Sequence, residues 1–195
     1  MFNKKEVLEF IQFVNPDYVY NLTGPSSVYE SIKTPDESIK KITTIFNNLT
    51  ESLIKSKNFC NFFQSSSSEM FGNTNESILN ENSKFKPNSP YATAKLINHE
   101  SVINLNKTYD WPIVSGIMFN HESEFRTDNY LFPKIINSAI KIYFKKDDVL
   151  EIGSLDYKRD WSYAKDIIEA VNAITENPKS SNYCLLYTSD AADEV

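Results

Sequence analysis

Glycine is scarce in this chain, and its scarcity limits the nucleotide sites that the sequence can form. Only four of the 195 residues are glycine, and none belongs to a G-x-G-x-x-G or G-x-x-x-x-G-K-[ST] motif. These are the two turns whose backbone approaches a bound phosphate. Two cysteines, Cys60 and Cys184, are too few for a disulfide framework or a four-ligand zinc site, and we expect no metal.

Long apolar runs and excess positive charge are also missing. No stretch approaches the roughly 18–20 apolar residues that span a bilayer, and no signal-peptide core follows the N-terminus. The net charge of −6 argues against a nucleic-acid binder. We therefore expect a cytoplasmic protein whose partners include neither nucleic acid nor membrane. Its 41% hydrophobic content is sufficient for a packed core.

Arginine is the third scarce residue. The chain has 18 lysines but only two arginines, Arg126 and Arg159. A planar guanidinium binds phosphate in a way that lysine cannot, so we hypothesise that both arginines contact a phosphate. Chance placement is the alternative.

Apolar spacing predicts alternating helices and strands. The predicted helices cover about 4–14, 35–57, 90–109, 131–145 and 163–176, and the strands about 18–22, 58–64, 112–120 and 149–152. Strands joined by helices predict a parallel sheet, whose ligands bind at the carboxyl ends of the strands. We therefore expect the loops 23–27, 65–69 and 120–126 to line one crevice.

The last twelve residues, 184–195, contain none of the asparagine, lysine and isoleucine that are abundant before them. This segment resembles translated sequencing-adaptor read-through, and we exclude it from the predicted fold as a non-native tail. A native acidic tail is the alternative.

A tyrosine four residues before a lysine places both side chains on one helix face, where the ammonium lowers the pKa of the phenol. Three such pairs occur: Tyr29/Lys33, Tyr91/Lys95 and Tyr130/Lys134. We favour Tyr91/Lys95, because small residues surround the tyrosine and a serine-rich strand end with Glu69 precedes it. There a serine hydroxyl can hold a substrate oxygen while the tyrosine removes its proton. Taken singly, each of these residues also fits an ordinary structural role.

The run Q-S-S-S-S-E-M-F-G at 64–72, followed by S-P-Y-A-T-A-K at 89–95, resembles the extended short-chain dehydrogenase/reductase superfamily. Within it, P-D-Y-V-Y-N-L at 16–22, F-N-H-E-S at 119–123 and R-D-W at 159–161 resemble the GDP-mannose 4,6-dehydratase family. The resemblance covers about residues 5–183.

This resemblance implies an α/β fold, a partial Rossmann-like parallel sheet with flanking helices. The chain would be an internal fragment that lacks the first strands and most of the C-terminal substrate domain. Residues 1–130 would form an incomplete dinucleotide-binding and catalytic region, and 131–183 part of a sugar-nucleotide-binding region. The full-length protein would be a homo-oligomer.

The resemblance also assigns catalytic roles. Tyr91 would take the proton from the mannose O4 as a hydride leaves C4, and Ser67, where the family has threonine, would bind the reacting oxygen. Glu69 would remove the C5 proton and protonate the departing C6 hydroxyl. Lys95 would assist Tyr91 and hold the ribose of the nicotinamide cofactor.

The implied cofactor is NADP, with NAD possible, because E-F-R-T at 124–127 replaces the family's P-R-R-G. The implied cofactor contacts are Leu22, Thr23, Gly24, Pro25, Ser26, Lys95, His121 and Arg126. Those to the GDP-mannose substrate are Asn120, Lys134 and Arg159. The alternatives are another sugar-nucleotide dehydratase or epimerase, or an inactive, binding-only fragment.

Overall fold

The computed structural model describes residues 3–74, 76, 78–128, 130–146, 149–153 and 160–185. The chain divides into two compact units, the first formed by residues up to 118 together with 169–185, and the second by 119–168. This division follows backbone packing. The predicted functional regions 1–130 and 131–183 stay a prediction.

The strands are β1 (Tyr18–Asn21), β2 (Asn61–Ser67), β3 (Ile113–Met118), β4 (Asn120–Glu122), β5 (Trp161–Tyr163) and β6 (Asn182–Leu185). The helices are α1 (Lys4–Val14), α2 (Val28–Lys33), α3 (Pro35–Lys55), α4 (Pro90–Tyr109), α5 (Leu131–Tyr143) and α6 (Ala164–Glu176), with a 3₁₀ helix at Ser68–Phe71. No helix among the described residues is long and apolar enough to cross a membrane.

The first unit contains a four-stranded sheet in the order β1-β2-β3-β6, and every neighbouring pair in it is parallel. The predicted parallel sheet with flanking helices is therefore confirmed. Because all four strands run the same way, their carboxyl ends meet at one edge of the sheet. The serines of β2 lie at that edge.

Local sequence explains where the helices begin and end. Asn3 and Glu6 form a capping box at the start of α1, and Asn15 ends it in the left-handed conformation. In α4, the Ser89 hydroxyl accepts the Ala92 N–H and proline occupies the first turn. These signals account for the close agreement between predicted and observed helix bounds.

The core of the first unit lies between the sheet and helices α1, α3 and α4. Its fully buried members include Phe46, Leu53, Phe62, Val102, Trp111 and Ile113. The Trp111 indole N–H donates to the Cys60 carbonyl over 2.7 Å. Two rings, Phe46 and Trp111, meet Phe62 edge to face. These rings therefore pack against the first half of β2, before its serine-rich end.

The second unit contains the parallel pair β4–β5 and helix α5. Asn120 pairs with Trp161 and His121 with Ser162 in this two-stranded sheet. Within the unit, the Phe132 and Trp161 rings pack 5.8 Å apart.

Four predictions about the strands need correction. The strand predicted over 58–64 runs over Asn61–Ser67, because the Asn58 side chain accepts the Cys60 N–H and delays its start. Ser65–Ser67 thus belong to the strand and not to a loop. The strand predicted over 112–120 ends at Met118, and Asn120 begins β4, in a different sheet.

The described residues 149–153 contain no strand, so the strand predicted over 149–152 is wrong. Val149 is exposed, and a short apolar run becomes a strand only where a neighbour pairs with it. The sequence prediction also missed α2, β5 and β6. Strand β6 includes Cys184 and Leu185, which we had excluded with the tail, while 186–195 lie outside the described residues.

Candidate active site

Three elements of the first unit bring the predicted catalytic side chains together. The end of β2 supplies Ser67, the 3₁₀ helix that follows supplies Glu69, and the first turns of α4 supply Tyr91 and Lys95. The Ser67 hydroxyl accepts the Glu69 N–H over 3.3 Å. One turn of backbone therefore holds the Ser67 hydroxyl against the backbone of Glu69.

Tyr91 is buried, and the causes of its pKa shift show which side chains act on the phenol. Burial raises the pKa of the Tyr91 phenol, a hydrogen bond with the Ser67 side chain opposes this, and the charge of Glu69 raises the pKa further. Ser67 is thus bonded to the phenol, and Glu69 is near enough for its charge to act on it. The direction of the shift is the reverse of our prediction, because burial outweighs the effect that we expected from Lys95.

The Lys95 ammonium lies 5.7 Å from the centre of the Tyr91 ring. The Nζ atom donates to the Ser65 carbonyl over 2.9 Å and to the Ser65 hydroxyl over 3.2 Å. Burial lowers the pKa of Lys95 to about 8, so most molecules keep the charge at neutral pH. An ammonium has three N–H donors, and these two bonds leave the third for a ligand.

The backbone around Tyr91 is also held by serine. The Tyr91 N–H donates to the Ser31 hydroxyl of α2 over 3.2 Å, and that hydroxyl donates to the Val28 carbonyl. The first N–H groups of a helix have no partner within it, so this bond satisfies one of them and joins α2 to the first turn of α4.

The loop Leu22–Ser26, predicted to contact the cofactor, follows β1 and is exposed. Gly24 in it has a φ of +121°, a conformation that suits glycine. Asn21 binds both the N–H and the hydroxyl of Thr23 through Oδ1. The Asn21 amide then donates to Gln64 over 2.7 Å, which links this loop to β2, the strand that carries Ser67.

Sequence reasoning missed a second buried polar chain. Nδ1 of His99 lies 2.8 Å from the Ser115 hydroxyl, which lies 2.7 Å from the Ser66 hydroxyl. All three side chains are buried. Burial lowers the pKa of His99 to about 4, so the ring is neutral. The available signal was the helical spacing of four residues from Lys95, which puts His99 on the same face of α4.

Four other predicted residues lie in the second unit. His121 Nδ1 lies 2.9 Å from the Phe119 carbonyl, and the Asn120 amide donates to the Asp160 carbonyl over 3.2 Å. The Arg126 guanidinium lies over the Tyr130 ring at 3.6 Å, with Nε 3.5 Å from Glu122 Oε2. Lys134 is an exposed residue of α5. Arg159 lies outside the described residues.

The structure thus assembles Ser67, Glu69, Tyr91 and Lys95 into one site and attaches the loop 22–26 to it through Asn21. Such an arrangement can exchange a proton with a substrate hydroxyl through the phenol, and a second proton through the carboxylate. The predicted single crevice that also includes 120–126 stays a prediction, because those residues belong to the other unit.

Comparison with known proteins gives the context of this site. The family model described as GDP-mannose 4,6 dehydratase matches residues 1–191. The GDP-mannose 4,6 dehydratase of Drosophila melanogaster is 34% identical over 188 residues, which cover 95% of this chain and 47% of that protein. The chain therefore spans about half the length of the curated relatives it matches.

Two solved structures share the fold. RMD from Pseudomonas aeruginosa, complexed with NADPH, has a TM-score of 0.86 at 20% identity. The match covers 94% of this chain and 64% of the RMD chain. The dTDP-glucose 4,6-dehydratase DesIV from Streptomyces venezuelae, with NAD bound, has a TM-score of 0.78 at 15% identity and covers 92% and 54%. Since the family model spans nearly the whole sequence, the motif resemblance is confirmed, and this chain belongs to the GDP-mannose 4,6-dehydratase family.

Proposed function

We propose that this chain carries the catalytic residues of a carbon–oxygen lyase that converts GDP-mannose to GDP-4-keto-6-deoxymannose. The reaction would proceed by transient oxidation at C4, elimination of water across C5 and C6, and return of the hydride to C6. One observation carries the proposal: Ser67 and Glu69 both act on the buried phenol of Tyr91. A phenol hydrogen-bonded to a hydroxyl, with a carboxylate near enough for its charge to act on the phenol, supplies the groups that this reaction needs at O4 and at C5 and C6.

Oxidation at C4 needs a base for the O4 proton, and Tyr91 fills that role. Burial and Glu69 keep the phenol protonated at neutral pH, so loss of its proton requires positive charge nearby. The Lys95 ammonium, 5.7 Å from the ring centre, supplies such a charge. The Ser67 hydroxyl holds O4 while the phenolate accepts the proton.

Elimination of water needs a second acid–base group, and Glu69 fills that role. Once C4 is a ketone the C5 proton becomes acidic, and the carboxylate removes it. The same group then gives that proton to the departing C6 hydroxyl, which leaves as water. As the hydride returns to C6, the proton that Tyr91 took from O4 would be delivered to C5, so that every proton is accounted for. Because the Glu69 N–H donates to the Ser67 hydroxyl, the backbone of Glu69 is held next to the hydroxyl that would bind O4.

The cofactor that fits this site is NADP, with NAD as the alternative. When bound, it accepts the hydride from C4 and returns it at C6. The third N–H of Lys95 would bind the ribose hydroxyls, and the loop 22–26, His121 and Arg126 would supply further contacts. The fit concerns the nicotinamide end alone, because this chain has no glycine-rich turn for the pyrophosphate.

The remaining assignments rest on the sequence resemblance. Asn120, Lys134 and Arg159 would face the sugar nucleotide, and residues 131–183 would form part of its binding region. The whole protein would act in the cytoplasm as a homo-oligomer. Light scattering on the purified whole protein and fractionation of the source cells would test these two points.

The test of the proposed function uses the protein at its full native length, incubated with GDP-mannose and NADP. We expect a 4-keto-6-deoxy sugar nucleotide, identified by mass spectrometry and NMR. Replacing Glu69→Gln removes the second acid–base group and leaves Tyr91 in place. We expect this variant to oxidise C4, seen as reduced-cofactor absorbance, while dehydration falls about 100-fold or more.

Glu76→Gln is the matched control, because Glu76 is an exposed carboxylate in the segment that follows the site. This variant should dehydrate at the unmodified rate. Full dehydration by Glu69→Gln would remove Glu69 from the mechanism. No product from the unmodified protein would contradict the assigned reaction.

A further inference from the structure

The end of strand β1 leaves one carbonyl of β2 without its sheet partner. Asn61 N–H donates to the Asp17 carbonyl, and Asn61 is in register with Tyr18. Odd-numbered residues of β2 therefore face β1, since residues alternate sides in a parallel ladder. Continued in register, β1 would bring the Thr23 N–H to the Ser65 carbonyl. The strand ends two residues earlier, at Asn21.

Asn21 is the residue that diverts this N–H. Its Oδ1 accepts the Thr23 N–H over 3.3 Å and the Thr23 hydroxyl over 2.6 Å. An asparagine that binds the backbone two residues ahead ends a strand by offering the chain an alternative to the ladder. The Thr23 N–H is therefore satisfied locally and does not compete for the Ser65 carbonyl.

The Ser65 carbonyl instead accepts two side-chain donors. Lys95 Nζ lies 2.9 Å from it and Gln64 Nε2 lies 2.8 Å from it. A carbonyl oxygen has two lone pairs, so these donors use its full capacity. The Ser65 hydroxyl adds a second acceptor to the Lys95 ammonium at 3.2 Å.

Gln64 connects the two halves of this arrangement. Its Oε1 accepts the Asn21 amide over 2.7 Å, while its Nε2 binds the Ser65 carbonyl. Gln64 is only 1% exposed and Asn21 only 3%, so water cannot replace either partner. Burying two amides is costly unless their hydrogen bonds are made. Here the two amides bind each other, Asn21 also binds Thr23, and Gln64 also binds the Ser65 carbonyl.

We propose that Asn21 and Gln64 are positioning residues for Lys95, because they end β1 early and reserve the Ser65 carbonyl for the lysine ammonium. The result is a continuous path of hydrogen bonds from Thr23 to Lys95. It fixes the ammonium beside Tyr91 and joins it to the loop 22–26. The anchoring is a property of this chain, and its catalytic use rests on the proposed function.

The experiment measures the Lys95 ammonium directly by ¹⁵N NMR, with the signal assigned by its loss in Lys95→Met. Ammonium protons held by buried acceptors exchange slowly with water. Asn21→Leu removes all three hydrogen bonds of the Asn21 side chain and frees the Thr23 N–H to pair with Ser65. We expect the Lys95 ammonium protons to exchange about five- to tenfold faster in this variant.

Gln64→Met is the second variant, which keeps the Asn21–Thr23 turn and removes the link to Ser65. It should speed exchange by a similar factor, and it decides the question if Asn21→Leu does not fold. Asn98→Leu is the matched control. It removes a buried amide of α4 that donates to the Ile42 carbonyl and does not touch Ser65, so its Lys95 signal should not change.

Faster exchange in the two network variants, with no change in Asn98→Leu, supports the proposal. Unchanged exchange in Gln64→Met, or an equal increase in Asn98→Leu, overturns it. In the whole protein we expect Gln64→Met to lower kcat about tenfold with a smaller change in KM. If the unmodified protein makes no product, the proposed function fails, and the exchange data still decide how Lys95 is anchored.

Discussion

His99 is a buried imidazole that the catalytic scheme does not use. Its Nδ1 contacts the Ser115 hydroxyl, Nε2 has no hydrogen-bond partner, and the Phe85 ring packs against it edge to face at 5.1 Å. A charged ring here would lose its hydration without gaining a counter-ion. Burial therefore lowers its pKa to about 4.

This shift predicts a loss of stability in mild acid. Unfolded histidine has a pKa of about 6.5, so between pH 6.5 and 4 the unfolded chain binds a proton that the folded chain does not. The His99 contribution is therefore complete above pH 6.5 and is lost as the pH falls towards 4. We expect the free energy of unfolding to fall by roughly 3 kcal/mol from this group, measured by urea denaturation at a series of pH values.

His99→Phe should flatten this part of the profile, and it leaves Ser115 bonded to Ser66. The carboxylates titrate equally in both proteins, so the difference between the two profiles isolates the histidine. Parallel profiles for the two proteins would show that His99 is not the titrating group.

Among elements, the 3₁₀ helix that holds Glu69 depends on the glycine that ends it. Gly72 has a φ of +61° and its N–H donates to the Glu69 carbonyl. A Cβ built at this position would lie 1.9 Å from the Lys86 carbonyl oxygen, and the adjacent segment returns to pair Lys86 with Met70. Both the backbone conformation and the close approach require glycine.

We expect Gly72→Ala to lower the free energy of unfolding by about 2 kcal/mol or more, because it adds backbone strain to a contact with rigid backbone. Thermal unfolding followed by circular dichroism gives the measurement. Gly153→Ala is the control, since nothing lies within 4 Å of its Cβ. Equal stability of the Gly72→Ala and Gly153→Ala proteins would show that the turn accommodates a side chain.

Element by element, helices were easier to predict than strands. Helix α4 begins at Pro90 and ends at Tyr109 as predicted, because caps and proline act within a few residues of the chain. Strand β2 began three residues late and continued through Ser67. Its polar end is a strand only because β3 pairs with it, Ser65 with Gly116 and Ser67 with Met118.

At the scale of the whole molecule, Trp111 joins the helices to the sheet in the core of the first unit. Its side chain is fully buried, contacts the Phe59 and Phe62 rings, and donates to the Cys60 carbonyl. The indole thus contributes apolar area and satisfies a buried acceptor. Few residues of this core combine both contributions.

Trp111→Phe should therefore lower the free energy of unfolding by about 2–4 kcal/mol, since it leaves a cavity and an unpaired carbonyl. Urea denaturation followed by circular dichroism tests this. Trp161→Phe is the matched substitution at a site that is 38% exposed, where we expect a change below about 1 kcal/mol. A loss at Trp161 as large as that at Trp111 would contradict the assignment of the core.

Short stretches of the sequence predicted five helices and the parallel sheet, and they supplied the candidate catalytic residues, because capping, apolar periodicity and motif spacing act over a few residues of the chain. Packing between distant segments settled which carbonyl anchors Lys95 and that the pKa of Tyr91 is raised and not lowered. Each of these depends on burial and on a neighbour from a distant part of the chain, and both are set when the strands pack side by side.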